Sequence, residues 1–296
     1  MTLVIARLIG GLGNQMFQYA AGRALALRCG ADFKLDLSGF ETYRRRRYEL
    51  DTLPICAAVA TKAELAEFDV DQERRSGLLD RIRRKLGFPL GSRARLVYRE
   101  PHFHFDPAMM ALRAPVYLDG HWQSERYFLD CSDSVRRELT PTAPLDPDNA
   151  AVAAQIDAAD AVSLHVRRGD YVSDPKTNYY HGTCSQQYYH SALEYIVART
   201  QRLHLFVFSD DPEWTRHNLR FPVATTFVAA NSADRGHLDM VLMSRCRHHI
   251  LANSSFSWWG AWLNPSREKI VVAPRRWFNA GASDSRDLVP QDWVRL

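Results

Sequence analysis

Two guanidinium groups and a glycine follow directly on the run Ala161 to Val166, in the segment His165-Val166-Arg167-Arg168-Gly169-Asp170. The run itself reads as a buried β-strand. Arginine forks bind phosphate oxygens in bidentate fashion and stay charged at any working pH. In open parallel sheets ligands gather beyond the carboxyl ends of the strands. An isolated arginine pair is usually a surface salt-bridge partner; at a strand's end, beside a glycine, Arg167 and Arg168 read as anion ligands. The chemistry such a group can supply is fixed positive charge for a departing phosphate.

Two more strand ends are rich in the same way. Ser209-Asp210-Asp211 follows the apolar run Leu203 to Phe208 and immediately precedes Pro212. That pattern is a helix N-cap with proline in the first turn, and a site carboxylate can serve both purposes. After His249 to Ala252 comes Asn253-Ser254-Ser255-Phe256-Ser257-Trp258-Trp259-Gly260. Hydroxyl side chains that open a helix offer donors to an anion at its positive end. Trp258 and Trp259 are read as core. A fourth element, Gly10-Gly11-Leu12-Gly13-Asn14-Gln15, is a glycine turn between strand and helix. Its spacing fits neither the dinucleotide fingerprint nor the Walker loop, which argues against a nicotinamide oxidoreductase.

The elements that must position these residues alternate in type. Leu3 to Ile9 is a strand candidate, followed by a helix in which Phe17, Ala20, Ala21, Ala24 and Leu27 share a face, and by a second strand from Phe33 to Leu37. Between about residues 40 and 115 the pattern weakens into charged and short apolar pieces, expected to be helical and loop-rich. Three prolines in Pro141 to Pro147 mark a linker. Beyond it, strands are expected at 161–166, 203–208, 223–228, 249–252 and 270–273, with helices at 186–200, 235–245 and 257–263 between them. Such alternation predicts parallel sheets covered on both faces. The expected fold is α/β, with two Rossmann-like domains facing a cleft, at 1–145 and 146–296.

With 296 residues, 46% hydrophobic and 24% charged, the chain has the balance of a globular protein of two domains. The net charge of +4 is slight, but Arg44 to Arg47 and Arg81-Ile82-Arg83-Arg84-Lys85 are dense basic runs. They read either as solvated faces or as contacts for anionic lipid headgroups or an acidic glycan carrier. No aromatic platform accompanies them, so nucleic acid is not expected as a partner. Cys29, Cys56, Cys131, Cys184 and Cys246 are scattered and odd in number, which reads as free thiols of a reducing compartment. No zinc-type spacing is present, and His248-His249 alone cannot assemble a metal site. The apolar N-terminus breaks at Gly10, short of the ~20 residues needed to span a bilayer. The expected location is cytoplasmic, with peripheral contact to the inner membrane face through the basic runs.

Taken together, GGLGNQMFQYAAG at 10–22, GHWQSERYF at 120–128, HVRRGDY at 165–171, FVFSDD at 206–211 and ANSSFSWWGAWL at 252–263 resemble the α-1,2-fucosyltransferases of glycosyltransferase family 11. The matches run in family order from residue 3 to about 293. The HxRRxD element is shared with α-1,6-fucosyltransferases and, more loosely, protein O-fucosyltransferases; the NSSFSWWGAWL element narrows it. The resemblance implies a GT-B arrangement, GDP-β-L-fucose as donor, no cofactor or obligatory metal, and inversion at the fucose anomeric carbon. It implies as acceptor the 2-hydroxyl of a terminal β-galactoside in an oligosaccharide or lipid-linked glycan. It assigns Arg167 to the donor β-phosphate, His165 near the guanine and Asp239 to the guanine N1 and N2 edge; Arg168, Asp210 and Asn253, placed at the same strand ends, are read as substrate-binding beside them. It assigns Ser254, Ser255 and Ser257 to the phosphate side, and Gly11, Gly13 and Asn14 to the loop facing pyrophosphate and fucose. Trp122 is a candidate to stack on galactose, or else core. For the base that takes the acceptor proton, Asp170, Asp36 and Glu125 all remain open, as does a mechanism in which the donor ionises first. The alternatives are a relative with a different linkage and a catalytically silent glycan- or nucleotide-binding module.

Overall fold

The computed structural model describes residues 2–42, 46–68, 95–279 and 283–296. Arg44, Arg45 and the run at 81–85 lie outside the described residues. The chain divides into two compact units, one of residues 1–51 and 55–138, the other of 52–54 and 139–296.

The first unit opens with β1 (Leu3–Arg7), α1 (Leu12–Cys29) and β2 (Asp32–Asp36). Helix α1 is buried on most of its circumference, because Ala20, Ala21, Gly22 and Ala24 let it lie close to the sheet. A Cβ at Gly22 would stand 2.6 Å from the Phe33 ring and 3.0 Å from Ala6, so that position has no room for a side chain. Gly30 ends the helix in the left-handed conformation at φ 57°, where glycine carries no steric penalty. Strands β3 (Ala58–Val59), β4 (Leu96–Arg99) and β5 (Val116–Asp119) complete a parallel sheet ordered β3-β2-β1-β5-β4. Two short helices, α2 (Ser38–Thr42) and α3 (Lys62–Ala66), flank β3 in sequence, and α4 (Ser132–Glu138) closes the unit. Among the described residues, the weakly patterned stretch thus contributes two of the five strands of this sheet, β3 and β4, and β5 follows directly after it.

The second unit begins where the prolines predict a linker. Pro147 is the first residue of helix α5 (Pro147–Asp157), and Asp146 caps it by accepting from the Asn149 N–H. Proline at that position gives up no hydrogen bond, since the first amides of a helix have no partner within it. The strands are β6 (Asp160–Val166), β7 (Leu203–Ser209), β8 (Ala224–Phe227), β9 (His248–Ile250), β10 (Val271–Ala273) and β11 (Val294–Arg295). Between them run α6 (Gly169–Ser173), α7 (Pro175–His181), α8 (Gln186–Val197), α9 (Pro212–Asn218), α10 (Gly236–Arg245) and α11 (Ser255–Leu263). All pairings are parallel, in the order β8-β7-β6-β9-β10-β11. This is the 3-2-1-4-5-6 order of a Rossmann sheet, which reverses direction between β6 and β9.

The core of this unit has an aromatic keystone in α11. Trp258 is fully buried, donates its indole N–H to the Leu288 carbonyl at 2.8 Å, and meets Trp259, Trp262 and Trp293 with ring centroids 5.0 to 6.0 Å apart. A Met243 methyl lies 2.7 Å from where a Cβ on Gly260 would be, so α10 and α11 pack at glycine distance. Trp258→Ala should cost about 3–5 kcal/mol of stability through the cavity and the orphaned carbonyl. Denaturant melts followed by far-ultraviolet circular dichroism will measure the loss.

Candidate active site

The reversal between β6 and β9 opens a crevice at the carboxyl edge of the second sheet, where a Rossmann fold takes its ligand. The segments leaving these two strands are Arg167-Arg168-Gly169 and Leu251-Ala252-Asn253-Ser254. They are tied together, since the Tyr171 hydroxyl donates to the Asn253 carbonyl at 3.2 Å. Asp210 and Asp211 leave the adjacent β7, and their carboxylates organise both arginines.

Asp210 binds Arg167 Nη1 at 2.9 Å through Oδ2 and accepts the Arg168 backbone N–H at 2.8 Å through Oδ1. A Cβ on residue 169 would stand 2.5 Å from that carboxylate, which is why Gly169 has none. Arg167 also donates through Nη2 to Asp170 at 2.6 Å, and its guanidinium carbon lies 5.3 Å from the Tyr171 ring centroid. Burial pulls the Arg167 pKa down, but Asp210, then Asp170 and Tyr171, outweigh it and hold it above the ordinary value. The guanidinium is therefore a permanent, fixed charge. Arg168 is spent on structure: its guanidinium lies 3.6 Å over the Trp214 ring and bonds Asp211 at 3.1 Å. Asp211 in turn caps α9, accepting from the Trp214 N–H. Of the acidic pair, Asp211 is the helix cap and Asp210 is the partner of Arg167.

His165 is the penultimate residue of β6, 4% exposed, with Nδ1 buried and unpartnered among the described residues. Burial and then Arg167 press its pKa down to about 3, so the ring is neutral. Its ring centroid lies 5.4 Å from that of Phe256. Phe256 in turn sits 3.6 Å from the Cβ position of Gly236, at the start of α10, three residues before Asp239. The fold thus links His165 to the first turn of α10 through Phe256, to which the sequence reading assigns no role. Burial raises Asp239 to about 6, and a 2.7 Å hydrogen bond from Asn231 opposes the rise. Asn231 is held by reciprocal amide bonds with Asn149 at 2.8 and 2.9 Å.

At the start of α11, Ser254 is the N-cap and accepts from the Phe256 N–H, and Ser255 is half-buried on the first turn. Ser257 is fully buried and donates to the Ala252 and Ser254 carbonyls. The Asn253 amide nitrogen is shared among the carbonyls of His181, Gly182 and Trp277 at 2.9 to 3.3 Å. Asn253 and Ser257 therefore shape the loop with their side chains.

In the first unit the glycine turn follows β1. Gly10 has φ 80°, and the Asn14 amide lies where its Cβ would be. Gly11 precedes α1, with the Arg46 guanidinium 3.8 Å from its Cβ position, and Gly13 is buried in the first turn. Gln15 clamps the turn, donating to the Gly10 and Arg47 carbonyls at 2.9 and 2.8 Å. Asn14 accepts from the Gln123 side chain at 2.9 Å, which joins the glycine turn to the loop after β5. Trp122 on that loop is fully buried, stacked near Tyr98 and edge-on to Tyr127. Its ring fills the core in this structure. Glu125 opens a short 3₁₀ turn, half-buried. Asp36 is 2% exposed and bound by the Tyr117 hydroxyl at 2.5 Å and the Ser38 N–H at 2.8 Å. Among the described residues no group of three or more His, Cys, Asp or Glu is placed to hold a metal ion, and no helix is long and apolar enough to cross a membrane.

Two parallel α/β units in succession, the second a Rossmann sheet with a fixed arginine at its reversal, make a fold of the GT-B type. The chain belongs to glycosyltransferase family 11, whose sequence profile matches residues 100–296. It is 37% identical to an α-1,2-colitosyltransferase of Escherichia coli over 100% of this chain and 99% of that protein. It is 26% identical to galactoside α-(1,2)-fucosyltransferase 1 of Alouatta belzebul over 86% of this chain and 63% of that one. A variant of Arabidopsis thaliana FUT1 in complex with GDP shares the fold, with a TM-score of 0.54 at 11% identity, covering 91% of this chain and 70% of that one.

Asp239 gives the site a measurable titration. Its folded pKa is raised, so the carboxyl favours folding below its unfolded pKa, and that contribution is lost as pH rises through about 6. Carboxyl-carbon NMR should find its midpoint near 6. Asn231→Ala, which removes the opposing hydrogen bond, should move the midpoint higher; a lower midpoint would contradict this environment.

Proposed function

We propose that the protein transfers L-fucose from GDP-β-L-fucose, with inversion and without a metal, to the 2-hydroxyl of a terminal β-galactoside. The observation that carries this reading is Arg167, a permanently charged fork fixed by Asp210 at the sheet reversal. Cleaving a glycosyl phosphate bond builds negative charge on the departing diphosphate, and fixed cations stabilise it without reorganisation. The Asp170 carboxylate on Arg167 Nη2 is the more exposed partner, at 37% against 25% for Asp210. An incoming phosphate oxygen displaces Asp170, while Asp210 keeps the fork in place. Displaced from the arginine, Asp170 becomes available as the base for the acceptor proton. Asp36, already engaged by Tyr117 and Ser38, is the less suited of the carboxylates weighed for that step.

On the nucleoside side, Asp239 accepts from the guanine edge, and neutral His165 and Phe256 line the approach. Ser254 and Ser255 present the positive end of α11 to the phosphates. Gly11, Gly13 and Asn14 face the sugar. The 2-linkage is supported by both relatives, which are named for α-1,2 transfer. The full-length relative at 37% identity is named for colitose, so a colitosyl donor is the second reading.

Arg167→Ala should lower turnover roughly 10²–10³-fold, with the melting temperature little changed. Arg167→Lys should recover only part of it, since an ammonium cannot form the fork. The assay offers GDP-fucose and a nucleoside-diphosphate colitose to β-galactosides, with and without chelator, followed by linkage analysis. Transfer of fucose to the 2-position that survives chelator is expected. Transfer of colitose alone would establish the second reading, and wild-type turnover in the Arg167→Ala protein would remove Arg167 from the mechanism.

A further inference from the structure

The loop after β5 is held in a conformation that its residues do not favour. Trp122 has φ 56°, in the left-handed region that bulky side chains rarely occupy. What holds it is Glu100, one residue beyond β4: its Oε2 accepts the His121 N–H at 2.7 Å and its Oε1 the Trp122 N–H at 2.9 Å. Glu100 is itself seated by its own N–H on the Asp119 carbonyl at 2.9 Å. Gly120 makes the approach possible, since a Cβ there would stand 2.5 Å from the Glu100 Cβ. The turn closes with the Ser124 N–H on the Trp122 carbonyl at 2.8 Å. Between these two bonded residues Gln123 projects its amide onto Asn14 Oδ1 at 2.9 Å.

We propose that Glu100 is a positioning residue for transfer: its carboxylate holds the left-handed turn at Trp122, and the turn holds Gln123 against Asn14 of the glycine loop. The inference rests on the reading of Asn14 as a residue that faces the sugar. It explains why a carboxylate is kept half-buried where two N–H groups each meet a different one of its oxygens: a glutamine in the same pose would turn its NH2 toward one of them.

Protonation has a defined consequence. Burial lifts the Glu100 carboxyl to about 7 against the pull of the two N–H bonds and of His102, with Asp106 adding to the rise. Tyr98, bonded to Asp106, the Tyr127 hydroxyl and the Asp119 carboxylate, paired with Arg7 and Arg99, are the other ionisable groups around this strand end. The ionised form accepts both amides. Gaining a proton removes the charge and weakens the acceptor at the protonated oxygen, so the clamp weakens as pH falls through about 7.

The test uses the full chain and the Glu100→Gln and Gln123→Ala variants. Hydrogen exchange at pH 8 reads the clamp without reference to activity: the amides of His121 and Trp122 should exchange at least tenfold faster in Glu100→Gln and at the wild-type rate in Gln123→Ala. Transfer assays from pH 5.5 to 8.5 read its use. Both variants should lose at least tenfold in kcat at pH 8 with the GDP Kd within twofold of wild type. The fall in wild-type kcat below about pH 7 should be absent from Glu100→Gln. Wild-type exchange rates in Glu100→Gln, or wild-type kcat in Gln123→Ala, would overturn the proposal. If no donor is turned over by the wild-type protein, the function reading fails while the exchange experiment still decides the clamp.

Discussion

A guanidinium at the end of a buried strand stays there only if something shares the cost of removing it from water. Arg167 is 19% exposed, and Asp210 meets it from the end of the neighbouring strand. The same carboxylate binds the next backbone N–H, so charge compensation and loop conformation are one interaction. Gly169 follows from it, because any side chain there would occupy the carboxylate's place. The Arg-Arg-Gly-Asp run is therefore one fixed charge, one stacked brace on Trp214, one position with no room for a side chain and one half-exposed partner. A buried ion pair of this kind adds little net stability, since desolvation offsets much of the attraction. Its value lies in orientation.

The device recurs. In a parallel sheet the amides just beyond each strand's carboxyl end have lost their ladder partners, and a buried N–H cannot be left unpaired. Asp210 answers this after β6, Asp36 for Ser38 after β2, and Glu100 for His121 and Trp122 after β5. Each carboxylate sits at the edge where a Rossmann sheet receives ligands. Structural satisfaction of loop amides and placement of site residues thus draw on the same side chains. This is why an acidic residue at these edges need not touch substrate to govern what happens there.

The parts of this architecture legible in the sequence are those written as long runs of one character. Leu203 to Phe208 is almost wholly apolar and matches β7 to within a residue, because a strand buried on both faces has no alternation to obscure. The four-residue strands at Leu96–Arg99 and Val116–Asp119 were hidden, since their ends carry the charges that later pair across the edge, Arg99 with Asp119 among them. The prolines at 141–147 read as a linker, although Asp146 followed by Pro147 is equally a helix start. The positions of Arg167 and Asp210 followed from strand ends alone. The inward turn of Asn253, Ser257 and Trp122 did not, because a polar or aromatic type does not state whether its partner is a ligand or the protein's own backbone. Glu100 was invisible for the same reason: its partners are amides, which every residue has.

Specificity can be located by the same logic. On the proposed reading, the side chains gathered at the β6 and β9 ends address phosphate and guanine, which are common to any donor of this nucleotide class. A relative named for colitose and one named for fucose can therefore share these residues without sharing a sugar. On the same reading, discrimination comes from the groups assigned to the sugar, those of the glycine turn, which is joined to the loop after β5 by the Asn14–Gln123 bond. Both are loops fixed by side-chain clamps, Gln15 on one and Glu100 on the other, with the Asn14–Gln123 bond between them. A small change in one clamp moves the other loop as well. Donor choice is then a property of the joined loops, and exchange of a single residue facing the sugar should alter it less than exchange of the two loops together with their clamps.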